Sequence, residues 1–144
     1  MANNKGKKNS STPKRELKSL PLRSPERNPY IVLSLKDLDR NQGQTLEDWQ
    51  EEEILAKAIE RLQGLCSLTV SEAQGQAKIS IYNKIDFPEN SDFKYPRHIP
   101  EDVTWASVRL ANKPRIIGYL VEHIFYVVFL DKDHKFWITE KKNT

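Results

Sequence analysis

The chain has 144 residues, 30% charged and 38% hydrophobic, with a formal net charge of +3 and one cysteine. One cysteine excludes an intramolecular disulfide and a cysteine-based metal cluster, and the length fits a single domain. No apolar run approaches the roughly 20 residues of a membrane span, and residues 1–28 lack the apolar segment of a secretory signal, so a cytoplasmic protein with no membrane partner is expected.

The charge is segregated. Residues 1–28 carry eight Lys or Arg against Glu16 and Glu26, a balance of +6, which leaves the remainder near −3. This segment holds Pro13, Pro21 and Pro25 and few large apolar residues beyond Leu17, Leu20 and Leu22. Such a composition buries too little surface to offset its chain entropy. It predicts a disordered basic tail over 1–28, followed by a single α+β domain over 29–140. The tail either solubilises the chain or attracts phosphate non-specifically.

The β-rich run Tyr30–Leu35 predicts a first strand. Asp37, Asp39, Asn41 and Gly43 supply turn chemistry. Thr45 offers an N-cap, and Glu47, Asp48 and Glu51 suit the positive end of a helix dipole. Leu46, Trp49, Ile54, Ala58, Ile59, Leu62 and Leu65 then recur at three- and four-residue steps, which predicts one amphipathic helix from Thr45 to about Leu65. Thr69 and Glu72 fit a capping box opening a short second helix that ends at Gly75. Cys66 is expected as a small apolar residue on a helix face.

Lys78–Ile85 alternates with period two and predicts a half-buried strand. Residues 86–104, with Pro88, Pro96 and Pro100, form a loop longer than usual, of the kind that is often functional or mobile. Within it Lys94, Arg97 and His98 are candidate RNA-binding residues. Trp105–Leu110 and Arg115–Val121 predict two strands joined at Ala111–Pro114. The near-continuous apolar run Ile124–Asp131 predicts a central strand covered on both faces. After a turn at Asp131–His134, Lys135–Thr139 begins a final short strand. The fold class expected is α+β: one or two N-terminal helices on a small antiparallel sheet, in two layers.

Phosphate-loop, HExxH and GxSxG signatures are absent from the sequence. Asp131 and Asp133 are read as turn residues, and neither a metal nor another cofactor is expected. Strand alternation sets Trp105, Ser107 and Arg109 on one face, and Arg115, Ile117 and Tyr119 on one face of the next strand. A hairpin through Ala111–Pro114 would bring Arg109 near Arg115, with His134 and Lys135 one turn beyond the central strand. RNA cleavage through the 2′-hydroxyl asks for this set: a proton acceptor, cations for the phosphate, and an acid for the leaving oxygen. His134 would exchange protons, Arg109 and Arg115 would grip phosphate, and Lys135 would act as a point charge. The blander expectation is arginines that cover apolar surface and an exposed turn histidine. Trp105, Trp137, Tyr119 and Tyr126 are expected to pack rather than to stack bases.

The order strand, helices, then Trp105–Leu110, Arg115–Tyr119 and Phe125–Asp131 resembles the RelE/ParE superfamily of bacterial toxins. The resemblance spans residues 30–138 in element order and 105–138 in sequence character. It implies mRNA cleavage, often ribosome-assisted, or gyrase inhibition, with a cognate antitoxin as partner. The positions that fit its pattern are Arg109, Arg115, His134 and Lys135. The functional expectation is therefore a metal-independent endoribonuclease toxin. The alternative is a non-catalytic module that binds protein or nucleic acid.

Overall fold

A computed structural model describes residues 28–82 and 87–138. The tail expected over 1–28 lies outside the described residues apart from Asn28. The protein is α+β, with three short helices against one five-stranded mixed sheet. The strands are β1 (Val32–Ser34), β2 (Ser80–Ile81), β3 (Thr104–Arg109), β4 (Arg115–Val121) and β5 (Ile124–Asp131). Their order is β1-β5-β4-β3-β2. The β2–β5 pairings are antiparallel as expected, but β1 lies parallel to β5, so the sheet is mixed. The helical crossover between β1 and the meander allows that parallel return.

The long helix expected over Thr45–Leu65 is two helices, α1 (Leu46–Glu51) and α2 (Leu55–Leu65). Thr45 and Asp48 close a capping box at the start of α1, with N···O distances of 3.0 and 2.9 Å. The break falls at Glu51-Glu52-Glu53, even though acidic charge opposes the dipole at the C-terminus of the helix that ends there. Glu53 turns into the left-handed region at φ 62°. Its N–H and that of Ile54 donate to the carbonyls of Gln50 (3.0 Å) and Trp49 (2.9 Å). That bond pair is a Schellman cap, usually centred on glycine.

The third helix, α3 (Val70–Gly75), opens on the expected Thr69–Glu72 capping box. It closes with the same motif, Ala77 and not Gly75 taking the left-handed position at φ 58°. The Lys78 N–H reaches the Ala73 carbonyl at 2.8 Å. Ala77 is exposed, so Ala77→Gly is expected to raise stability by about 0.5–1 kcal/mol by removing the Cβ strain. Chemical denaturation measures this as a higher midpoint at unchanged slope.

The helix-side core joins Ile31, Trp49, Leu62 and Leu65 to the sheet residues Val108, Ile116, Phe125 and Val127. The opposite face is not bare, as a two-layer fold would leave it. Residues 87–103 lie across it and bury Phe93, Ile99 and Val103 against Trp105, Ile117, Tyr119, Val128 and Phe129. Trp105 is 1% exposed, with its ring parallel to Phe129 at 6.0 Å between centroids and Phe136 at 5.4 Å. The expectation that Trp105 and Tyr119 pack into the core therefore holds, and β5 is covered on both faces.

A bulge makes this second core. Ile117 pairs Phe129 while Gly118 pairs Val127, so Val128 is an extra residue on β5. Phe129 thereby joins Val128 on the aromatic side. The Val128 carbonyl accepts from the Asp39 N–H at 2.8 Å, so the chain after β1 runs alongside β5. Nearby, the Tyr119 hydroxyl donates to the buried Asp37 carboxylate at 2.5 Å. Burial alone would raise the Asp37 pKa. The Tyr119 hydroxyl and the Lys36 ammonium outweigh it, and the net shift is downward.

The strand expected over Trp105–Leu110 is shifted by one residue, to Thr104–Arg109, and three other expected strands differ by more. The first strand is confined to Val32–Ser34, with Tyr30 making only an isolated bridge to Thr69. The strand expected over Lys78–Ile85 is Ser80–Ile81, and residues 83–85 lie outside the described residues. No strand forms over Lys135–Ile138, because the Asp131 carboxylate takes the Lys135 and Phe136 N–H groups that a ladder would need.

Candidate functional site

Three strand ends form one row. Arg109 closes β3, Arg115 opens β4 and Asp131 closes β5, and the registers place Arg109 opposite Arg115 and Arg115 opposite Asp131. Alternation puts this row on the aromatic face, with Ser107 and Ile117. The Arg115 guanidinium is half-buried and folds back over the β3–β4 turn. One of its terminal nitrogens donates to the carbonyls of Lys113 (3.0 Å), Asn112 (3.1 Å) and Pro114 (3.3 Å). Burial, and then the Arg109 charge, lower the Arg115 pKa.

Arg109 is exposed, and its carbonyl is held from the helix side. Arg61 of α2 donates to the carbonyls of Arg109 (2.7 Å) and Leu110 (3.1 Å). The ion pairs among the described residues are Lys36–Asp37 and Lys132–Glu52. Both site arginines thus lack a carboxylate partner there. Like charges directly opposite on a sheet destabilise it unless an anion lies between or over them.

Asp131 is 1% exposed, and its carboxylate accepts from the N–H groups of Lys135 (2.8 Å) and Phe136 (2.9 Å). Burial raises its pKa and these two bonds oppose the rise. Together they curl residues 132–136 back over the end of the sheet and fix His134 at φ 61°. The His134 pKa is lowered, first by partial burial and then by Arg115, with Arg109 and Lys113 adding to the effect and Asp131 opposing it. The shift favours the neutral imidazole, the form that accepts a proton. Tyr82 completes the wall: its hydroxyl donates to Ser107 Oγ at 3.0 Å, and its ring stacks on Trp137 at 4.5 Å.

The sequence-based candidates fall into two groups. Arg109, Arg115 and His134 lie near enough for their charges to act on one another. Lys135 follows His134 with an exposed side chain, while its backbone binds Asp131 and accepts from the Asp92 N–H at 3.0 Å. Lys94, Arg97 and His98 stand elsewhere, along the segment after β1. Gln42 brackets the Lys94 backbone at 2.7 and 2.8 Å, and His98 Nε2 meets the Asp37 carbonyl at 3.0 Å. Arg97 is exposed beside them.

Sequence reasoning missed Asp131 as the organiser of the His134 turn and missed Tyr82, and it placed Ser107 on the Arg109 face without the Tyr82 hydrogen bond. The apolar run that ends in Asp131 was the available signal, because a carboxylate at the buried end of a strand must find donors. Among the described residues, no group of three or more His, Cys, Asp or Glu is arranged to hold a metal ion, and no helix is long and apolar enough to cross a membrane. No protein-family model, curated protein or solved structure matches this chain significantly.

Proposed function

We propose that this protein is an endoribonuclease of the RelE/ParE-like toxin type, cleaving mRNA through its 2′-hydroxyl. The observation that carries the reading is the pair Arg109 and Arg115, facing each other without a carboxylate partner among the described residues, with His134 on the turn after β5 and its pKa lowered in part by both arginines. In this scheme His134 takes the 2′-hydroxyl proton. The 2′-oxygen bonds to phosphorus and the bond from phosphorus to the 5′-oxygen breaks. That oxygen leaves with a proton from water. Arg109 and Arg115 stabilise the charge that develops on the phosphoryl oxygens, which is the role a metal would otherwise fill. Asp131 positions His134 and touches no substrate. Lys135, exposed at the next position, adds a point charge for an outer phosphate.

A toxin of this type implies an antitoxin that covers the site, and mRNA, free or ribosome-bound, as substrate. The acidic remainder of the chain weakens non-specific attraction to RNA, and the basic residues of 1–28 offset it.

Induced expression in a bacterial host tests the reading. Wild type is expected to arrest growth with loss of intact mRNA, and His134→Ala or Arg115→Ala to relieve both. Normal growth with intact RNA would favour the second reading, a non-catalytic binding module that uses the exposed Lys94 and Arg97.

A further inference from the structure

On the helix side of the sheet, between α2 and the end of β3, lies a cavity of about 510 Å³ lined in part by Lys57, Glu60, Arg61, Gly64, Lys78 and Leu110. Three of these six are cations and one is acidic, although the chain beyond residue 28 carries a net charge near −3. The cavity's basic balance is therefore local. Lys57 and Lys78 are exposed, and neither side chain has an ion-pair partner among the described residues.

The cavity also adjoins the site described above. Leu110, which lines it, follows Arg109. Arg61, which lines it too, donates to the carbonyls of both residues. Lys78 lies two residues before the Ser80–Ser107 pair, toward the Arg109 end of β3. Beyond that pair β2 has ended, so no strand separates Lys78 from the β3 edge. A chain of phosphates that leaves the Arg109 end of β3 around that edge would enter the groove lined by Lys78 and Lys57. Arg61 acts as a strut between the two faces, since its guanidinium is already committed to the backbone carbonyls.

We infer that this groove is a second phosphate-binding site, which holds the backbone of single-stranded RNA extending from the Arg109–Arg115 pair. The inference rests on the ribonuclease reading and adds to it a substrate longer than the scissile dinucleotide. A single strand fits better than a duplex, because the path bends from one face of the sheet to the other around a strand edge.

Fluorescence anisotropy with a labelled 12-nucleotide single-stranded RNA tests it. The full chain carrying His134→Ala serves as the non-cleaving reference. Adding Lys57→Glu and Lys78→Glu is expected to weaken binding about tenfold and to lower the slope of log affinity against log salt by about 1.4, or about 0.7 per lost phosphate contact. Lys57→Gln with Lys78→Gln should give a smaller shift in the same direction. Lys36→Glu with Arg40→Glu, at exposed cations outside both sites, changes the same charge and should leave the slope unaltered. Equal slopes for the reference and the Lys57/Lys78 variants would overturn the groove while leaving the arginine pair in place. Binding of duplex DNA as tight as that of the RNA would overturn the single-strand assignment. If the reference chain fails to bind the RNA at all, both the groove and the ribonuclease reading fall.

Discussion

Gly118→Ala is expected to destabilise the protein by about 3 kcal/mol or more, at the upper end of the range for overpacked cores. A Cβ on Gly118 would lie 2.1 Å from the Tyr126 carbonyl oxygen and 2.9 Å from the Phe125 ring. The first of these is backbone in the adjacent interior strand, so relief requires β4 and β5 to separate. That pairing carries the bulge which sends Val128 and Phe129 together into the aromatic core. Opening it would disturb both faces of the sheet. Against a total stability of about 5–15 kcal/mol, the loss is a large fraction. Urea denaturation should show a clearly lower midpoint. A midpoint equal to wild type would mean that the strands are farther apart at Gly118 than described.

On the proposed ribonuclease reading, the second large effect is on RNA cleavage. His134→Ala and Arg115→Ala are each expected to lower the rate of RNA cleavage by about 10²–10⁴-fold, the usual contribution of a positioned proton acceptor or of a charge at the developing anion. The pH dependence separates their roles. His134 must be neutral to accept a proton, so the rate rises with pH through its pKa and then levels. Partial burial, then Arg115, depress that pKa, so the midpoint should fall below the ordinary value of about 6.5. Arg115→Ala removes a like charge, and the midpoint of its residual activity should move upward, toward the ordinary value. A rate profile that is flat across this range in the wild type would remove His134 as the base.

Much of this site was legible in the sequence because it depends on short-range rules. Alternation along two strands and the length of the Ala111–Pro114 turn suffice to set Arg109 against Arg115. The N-cap at Thr45 and the capping box at Thr69 were readable for the same reason, since each acts within three residues. What escaped depends on contacts distant in sequence or on backbone choices that the residue type disguises. Glu53 and Ala77 end helices in the left-handed conformation usually taken by glycine, so the break in the long helix carried no familiar marker. Phe93, Ile99 and Val103 follow no period. Only the folded chain shows that residues 87–103 form the cover of the second sheet face. Likewise, Lys135–Thr139 looked like the start of a strand, but Asp131, four residues upstream of Lys135, takes the Lys135 and Phe136 donors. Arg61 is a further case of a partner distant in sequence. Its bonds to the carbonyls of Arg109 and Leu110 span 48 and 49 residues of chain.

The most direct test of the account is cleavage of a defined single-stranded RNA by the purified full chain with a metal chelator present, followed by analysis of the product ends. The account predicts fragments bearing a 2′,3′-cyclic phosphate and a 5′-hydroxyl. Cleavage should be lost at any position where the 2′-hydroxyl is replaced by hydrogen, and reduced at least a hundredfold in His134→Ala. RNA left intact by the wild type, or cut equally well at a 2′-deoxy position, would contradict it.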